Sequence, residues 1–315
     1  MSYTTTTPSS AQVVGFNNDK AMFIVQSAST PSNAHWTTDG AHDDTDVTDA
    51  GYPAVRAYDS LGSLVTKTTG VAGTSPKYYN FYWSSTRAIT FDSLLILGHN
   101  FNSIDITSIH LEISDDKDFL AGGSYNTIEI ARYEPGSDAI DNRLFFTNLN
   151  SNGSGGTYDS GGAARVYGDV QYARLKIVHS GNKDPQFGEI ILGTRYQLQR
   201  NPDLPYDDLG EITEVAEAKA LSGVVRRYVV YRGQALRSFL ASISTAAEIT
   251  VIENWWKDIE DGTKPFVYVE NPNTAPRPYL MTMETTALVF PKVGPFERQL
   301  SFSMIEQPPF LGRED

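Results

Sequence analysis

The residues best able to do chemistry in this chain are few and scattered. The five histidines are His35, His42, His99, His110 and His179, and no two stand three or four residues apart as a helical zinc site needs. Residues 201–315 contain no histidine at all. There is no GxSxG elbow, no glycine-rich phosphate loop ending in Lys and Ser or Thr, and no GxGxxG motif opening a helix. Cysteine is absent, which removes disulfides, thiolate zinc sites and a thiol nucleophile together. The expectation is a protein that is not an enzyme and carries no cofactor or metal.

Three groupings invite a binding reading. Asp39, Asp43, Asp44, Asp46 and Asp49 crowd one short span and could offer hard oxygen ligands to calcium, but their spacing is not that of an EF-hand. A solvated acidic loop held by Asx turns is the preferred reading. The string Tyr78 to Trp83 (YYNFYW) could present rings to a sugar face, whereas strand alternation sends Tyr79, Phe81 and Trp83 inward. Gly98, His99 and Asn100 close an apolar run, where side-chain bonds to the turn backbone compete with any catalytic or binding use. Candidate glycan contacts are therefore Tyr78, Tyr82, His99 and Asn100.

Charge narrows the partners. The net charge of −13 argues against nucleic acid, whose binders neutralise phosphates with Lys and Arg. Acidic residues outnumber basic ones in both 1–200 and 201–315, so neither part hides a basic domain. No stretch approaches the ~18 apolar residues of a membrane span, and Met1 to Ser10 lacks the pattern of a secretion signal. Folding in a cytoplasm, with no membrane insertion, is expected.

The elements that must position these residues are mainly strands. A chain of 315 residues with 40% hydrophobic content exceeds the size at which one core usually keeps growing, so two cores are expected. Residues 1–12, rich in Thr and Ser, read as a flexible arm. Residues 13–200 show short strands between Gly, Asn, Asp and Ser clusters, the pattern of a β-sandwich. Ile109, Leu111 and Ile113 share one strand face, as do Ala173, Leu175 and Ile177. The runs Leu94 to Leu97 and Ile190 to Leu192 read as buried strands stopped by Gly98 and Gly193. The Gly- and Ser-rich stretch 148–162 reads as a long loop, and 201–210, with two prolines and three aspartates, as a linker.

Residues 211–315 predict a second β-domain with one flanking helix. An alternating stretch around Val225 to Tyr231, a strand at Phe266 to Val269 and a hairpin turning at Pro291 to Gly294 are expected, and Leu300, Phe302 and Met304 alternate with Ser301 and Ser303. Thr245 and Glu248 make a capping box. Ile249, Val251, Ile252, Trp255, Trp256 and Ile259 then fall on one helical arc, and Asp261 and Gly262 end the helix. These apolar residues should pack the helix across a sheet.

Ser93 to Phe101 (SLLILGHNF), the strand Ile109 to Ser114 with Asp115 and Asp116, and Phe187 to Gly193 (FGEIILG) resemble minor tail proteins of long-tailed bacteriophages. In that group such strings belong to a galactose-binding-like β-sandwich. The capped helix, Gly262 to Phe266 (GTKPF), and the closing Glu306 and Gln307 are similar to phage tail-tip ring proteins, although in distal tail proteins the ring domain usually comes first. The resemblance implies a galactose-binding-like sandwich followed by a tail-tube-like β-domain. It also implies a homo-oligomeric ring in the virion tail, made in the bacterial host cytoplasm, that joins the tail tube to baseplate hub proteins. A carbohydrate-binding adhesin that grips a host surface glycan is the alternative.

Overall fold

The computed structural model describes residues 20–26, 30–41, 45–59, 64–70, 76–83, 89–101, 106–114, 116–119, 128–133, 143–146, 165–167, 171–180, 183–198, 201, 208–219, 225–243, 245–269, 278–284, 287–292, 294 and 297–307. The arm 1–12 and the stretch 148–162 lie outside these residues, as do His42, Asp43, Asp44 and Asp115.

The described elements are eighteen strands, one 3-10 turn and one helix. First come β1 (Met22–Gln26), β2 (Asn33–Thr37), the 3-10 turn (Ala54–Tyr58), β3 (Thr66–Lys67), β4 (Lys77–Tyr82), β5 (Ile89–Phe91) and β6 (Ser93–Leu97). Next are β7 (Ile106–Ser114), β8 (Ile128–Tyr133), β9 (Arg143–Phe146), β10 (Arg165–Tyr167), β11 (Tyr172–His179), β12 (Gln186–Phe187) and β13 (Ile190–Gln197). The remainder are β14 (Asp208–Lys219), β15 (Val225–Ile243), α1 (Ala246–Asp258), β16 (Phe266–Val269), β17 (Pro278–Met283) and β18 (Arg298–Glu306).

The chain is mainly β and contains a β-sandwich. One sheet has the order β2-β4-β11-β7-β8, and facing it is part of a nine-stranded sheet ordered β14-β15-β18-β17-β16-β1-β13-β6-β9. Alternation builds the sandwich core: Tyr79 and Phe81 of β4, Leu175 and Ile177 of β11, and Leu111 and Ile113 of β7 point inward and meet Leu94, Ile96, Ile190 and Leu192 from the larger sheet.

The same face of the larger sheet carries a second core. Phe23 lies opposite Tyr268, Phe266 opposite Met281, and Phe239 opposite Phe302, so the register puts them all on one side. Helix α1 covers them with Ile252 and Trp255, joined by Ile259 just past its end, each fully buried. Ile249 and Trp256 are half-buried at its margin, so only one of the two tryptophans is fully enclosed. The Thr245 hydroxyl accepts from the Glu248 amide, and the Glu248 carboxylate accepts from the Thr245 amide, which realises the capping box. The helix ends at Asp258, and Glu260, Asp261 and Gly262 follow with positive φ.

Strand β1 joins the two cores, pairing with β13 along one edge and with β16 along the other. Gly193 does not stop its strand, because β13 continues to Gln197. Its role is close approach: a Cβ there would lie 2.6 Å from both the Val25 carbonyl oxygen and Ile24 Cγ2 of β1. Gly98, with φ +63°, does follow the end of β6. Strand β14 begins at Asp208, within 201–210, and the Asn201 side chain accepts from the Ala21 amide beside β1. Met22, Ile24, Leu95, Leu97, Ile191, Val267, Val269 and Leu280 form a third apolar cluster on the opposite face of the sheet.

Candidate carbohydrate-binding site

The residues singled out from sequence do not converge. Tyr79, Phe81 and Trp83 are buried, leaving Tyr78 and Tyr82 on the outer face of β4. The Arg174 guanidinium carbon lies 4.9 Å from the Tyr78 ring centroid and 4.3 Å from that of Phe119. Arg174 also pairs with Glu112 and donates to the Gly40 carbonyl, while the Asn80 amide donates to Gly40 and Ala41. Residues 37–41 are thereby tied down beside Tyr78. Burial raises the Tyr78 phenol above its ordinary pKa, against the pull of Arg174. The Tyr82 ring sits 5.7 Å from that of Tyr172, a neighbour brought in by β11.

His99 and Asn100 lie buried at the end of β6. The His99 ring stacks on Phe101 at 4.3 Å and its Nδ1 accepts from the Phe101 amide. Asn100 donates to the Asp184 carbonyl and accepts from the Gln186 amide, joining the turn to the segment before β12. In the acidic loop, Asp39, Asp46 and Asp49 each accept from a backbone amide two residues ahead, the geometry of Asx turns. No group of acidic and histidine side chains arranged to hold a metal ion occurs among the described residues.

A different aromatic is presented to solvent. Tyr52 is 39% exposed and is the aromatic among the exposed large apolar residues described. It stands just before the 3-10 turn, beside Val55, which is 59% exposed. Its position is rigid: the Tyr52 amide donates to the Asp49 carbonyl at 2.8 Å, and its carbonyl accepts from the Lys67 amide at 3.2 Å. The turn itself is anchored from inside the sandwich, where Ala54 and Ala57 are buried and the Tyr79 hydroxyl donates to the Ala54 carbonyl at 2.7 Å.

Two cations lie over the exposed ring. The Arg56 guanidinium carbon lies 5.7 Å from its centroid and Lys67 Nζ 5.6 Å away. Nearby, burial raises the Asp184 carboxyl above its ordinary pKa, opposed by Lys77, Lys67 and His179 and aided by Asp49. An exposed aromatic ring with cationic donors over it can join apolar contact to hydrogen bonds with a sugar's hydroxyl or acid groups.

No protein-family model matches the chain, and no curated protein sequence does. Among solved structures, the chain is similar to a selenomethionine-labelled mutant of chitosan-binding module 1 from a chitosanase/glucanase of Paenibacillus sp. IK-5, with 14% identity, TM-score 0.34, and 54% of this chain and 98% of that one covered. Chitosan-binding module 2 of the same enzyme, in complex with chitotriose, matches with 14% identity and TM-score 0.31, over 51% of this chain and 94% of that one. CBM32-3, from a family 31 glycoside hydrolase of Clostridium perfringens, matches with 12% identity and TM-score 0.34, over 55% and 95%. These superpositions are loose, and none shows what this chain binds.

Sequence reasoning missed Tyr52 because an isolated tyrosine in a loop carries no periodicity. The signal available was Tyr52-Pro53, a tyrosine whose backbone is restricted by the proline that follows it, ahead of a short turn.

Proposed function

We propose that this chain is a non-catalytic carbohydrate-binding protein whose β-sandwich presents Tyr52 as a sugar platform, with Arg56 and Lys67 bonding the sugar's polar groups. The observation that carries this reading is the exposed Tyr52 ring, on a backbone held by two hydrogen bonds and with two cations over the ring. A tyrosine ring has only two side-chain torsions to order and so loses little entropy on stacking, which favours recognition over mere surface exposure. On a glycan array, the protein is expected to give a specific signal that Tyr52→Ala and Arg56→Ala abolish and Tyr78→Ala leaves in place. A silent array, or binding unchanged in Tyr52→Ala, refutes the reading.

A second reading concerns the C-terminal strands and is compatible with the first. Strand β15 pairs with β14 from Lys219↔Val225 to Asp208↔Arg237, but with β18 only over Leu236–Ile243. From Val225 to Ala235 the described pairing is therefore a two-stranded ribbon, roughly 35 Å long at about 3.3 Å per residue. Such a ribbon is marginal in water by itself and gains by lying on a neighbour. This supports assembly of a homo-oligomeric ring of the phage tail-tip kind, with tail tube and baseplate hub proteins as axial partners and the virion tail as its location. Electron microscopy should show closed rings, and deletion of residues 212–231 should leave a folded, ring-incompetent protein. A monomeric wild type at particle-like concentrations overturns this reading.

A further inference from the structure

A cleft that the Tyr52 surface does not use lies where β1 ends, beside the starts of β13 and β16. Its volume is about 200 Å³. Ile24, Ile191, Val267 and Leu280, all members of the third apolar cluster, contribute an apolar lining. Gln26, Thr30, Tyr58 and Glu189 supply polar groups, and Lys264 also lines the space.

Two of those polar groups are unusual. Gln26 Oε1 and the Tyr58 hydroxyl are buried and have no hydrogen-bond partner among the described residues. A buried polar atom without a partner costs free energy that folding alone does not recover, and here two such atoms belong to side chains that line one cavity. Tyr58 is not a loose side chain, because its ring packs against Tyr79 at 6.5 Å and Phe81 at 5.8 Å between centroids. Burial, with Tyr79 and Glu189 nearby, raises the Tyr58 phenol well above its ordinary pKa, so it keeps its proton.

The amide oxygen accepts, the phenol can give or accept, and the Glu189 carboxylate adds negative potential beside the phenols of Tyr58 and Tyr79. The apolar lining offers nothing to a strongly polar frame. Lys264 is turned to another use, with its Nζ 2.8 Å from a Glu260 carboxylate oxygen. We propose that this cleft binds a small ligand with a hydrogen-bond-donating head, an ammonium or a hydroxyl, on a short hydrocarbon frame, seated with its head between Gln26 and Tyr58. The shape follows the usual division of small-molecule pockets into an apolar body and a few convergent polar groups.

Cyclohexylamine and cyclohexanol are suitable probes, titrated into the full chain by calorimetry and ligand-observed NMR. At least one should bind with a single site, and Tyr58→Phe and Gln26→Leu should each weaken it by about tenfold or more. Tyr52→Ala should leave it unchanged, which separates this site from the sugar platform. Binding of the amine alone assigns an ammonium head; equal binding of the alcohol assigns a hydroxyl. Tyr58→Phe should also melt at or above the wild-type temperature, since it removes an unpartnered hydroxyl. Failure of both probes to bind up to their solubility, binding unaltered in both variants, or a lowered melting temperature for Tyr58→Phe would each overturn the proposal.

Discussion

Trp255 gives the sharpest test of the packing argument. Its side chain is fully buried, with ring centroids 4.4 Å from Phe23 in a stacked arrangement, 5.1 Å from Phe266 edge-on and 5.4 Å from Phe302. Trp255→Ala removes the contact between helix α1 and three strands at once, so its cost should fall in the upper part of the range for large-to-small core changes, about 4 to 5 kcal/mol. Trp256 is only half-buried, against Gly262 and Met283, and its replacement by Ala should cost about half as much. Chemistry separates a third variant. Trp255 Nε1 is buried and has no hydrogen-bond partner among the described residues, so Trp255→Phe gives up volume but also an unpaired donor, for a net cost of about 1 to 2 kcal/mol. Urea denaturation followed by far-ultraviolet circular dichroism reads all three on one scale. A Trp255→Ala protein within about 1 kcal/mol of wild type, or one more stable than Trp256→Ala, refutes the assignment of the helix to this core.

Other perturbations probe the sheet and its charges. Gly193→Ala should cost about 1 to 3 kcal/mol in urea denaturation, because the new methyl meets the backbone of β1. Thr245→Ala should cost about 0.5 to 2 kcal/mol through loss of the helix cap, with Thr245→Ser restoring most of it. Asp92 is buried beside Arg195, with Oδ2 3.2 Å from Nε, and burial raises its carboxyl above the ordinary 3.8 despite that pairing. The folded state thus holds the Asp92 proton more tightly than the unfolded chain does. Its stabilising contribution is present below 3.8 and is lost as pH rises through the raised folded value. Asp92→Asn should flatten the pH dependence of stability across that window, and an unchanged slope would count against the shift.

Local pattern made much of this fold legible. The capping box of Thr245 and Glu248 is a four-residue signal, and the alternations at Ile109 to Ile113 and Ala173 to Ile177 report their own buried faces. What escaped was non-local. Nothing in Met22 to Gln26 announces that it pairs with Phe266 to Val269, because pairing partners are chosen by tertiary geometry. Gly193 read as a stop for a related reason, since only the proximity of β1 shows that it is a point of close approach. The candidate sites were less legible than the core. Tyr78 and Tyr82 stood out in an aromatic string, yet the exposed ring is the solitary Tyr52, and the cleft takes Gln26, Tyr58 and Glu189 from three distant segments.

The position of β1 between β13 and β16 also sets the order of events in the chain's birth. Ribosomes release β1 before its partner Phe266–Val269, which follows roughly 240 residues later, a wait on the order of 12 to 50 s at about 5–20 residues per second. During that interval the sandwich strands can pair with one another, while the far edge of β1 offers unpaired amides and the apolar side chains of Phe23 and Val25 have no helix to cover them. Completion therefore hinges on the last third of the chain arriving before another copy's strand does. A nascent chain stalled before Phe266 should be sticky and chaperone-bound, and the same chain released a few dozen residues later should not.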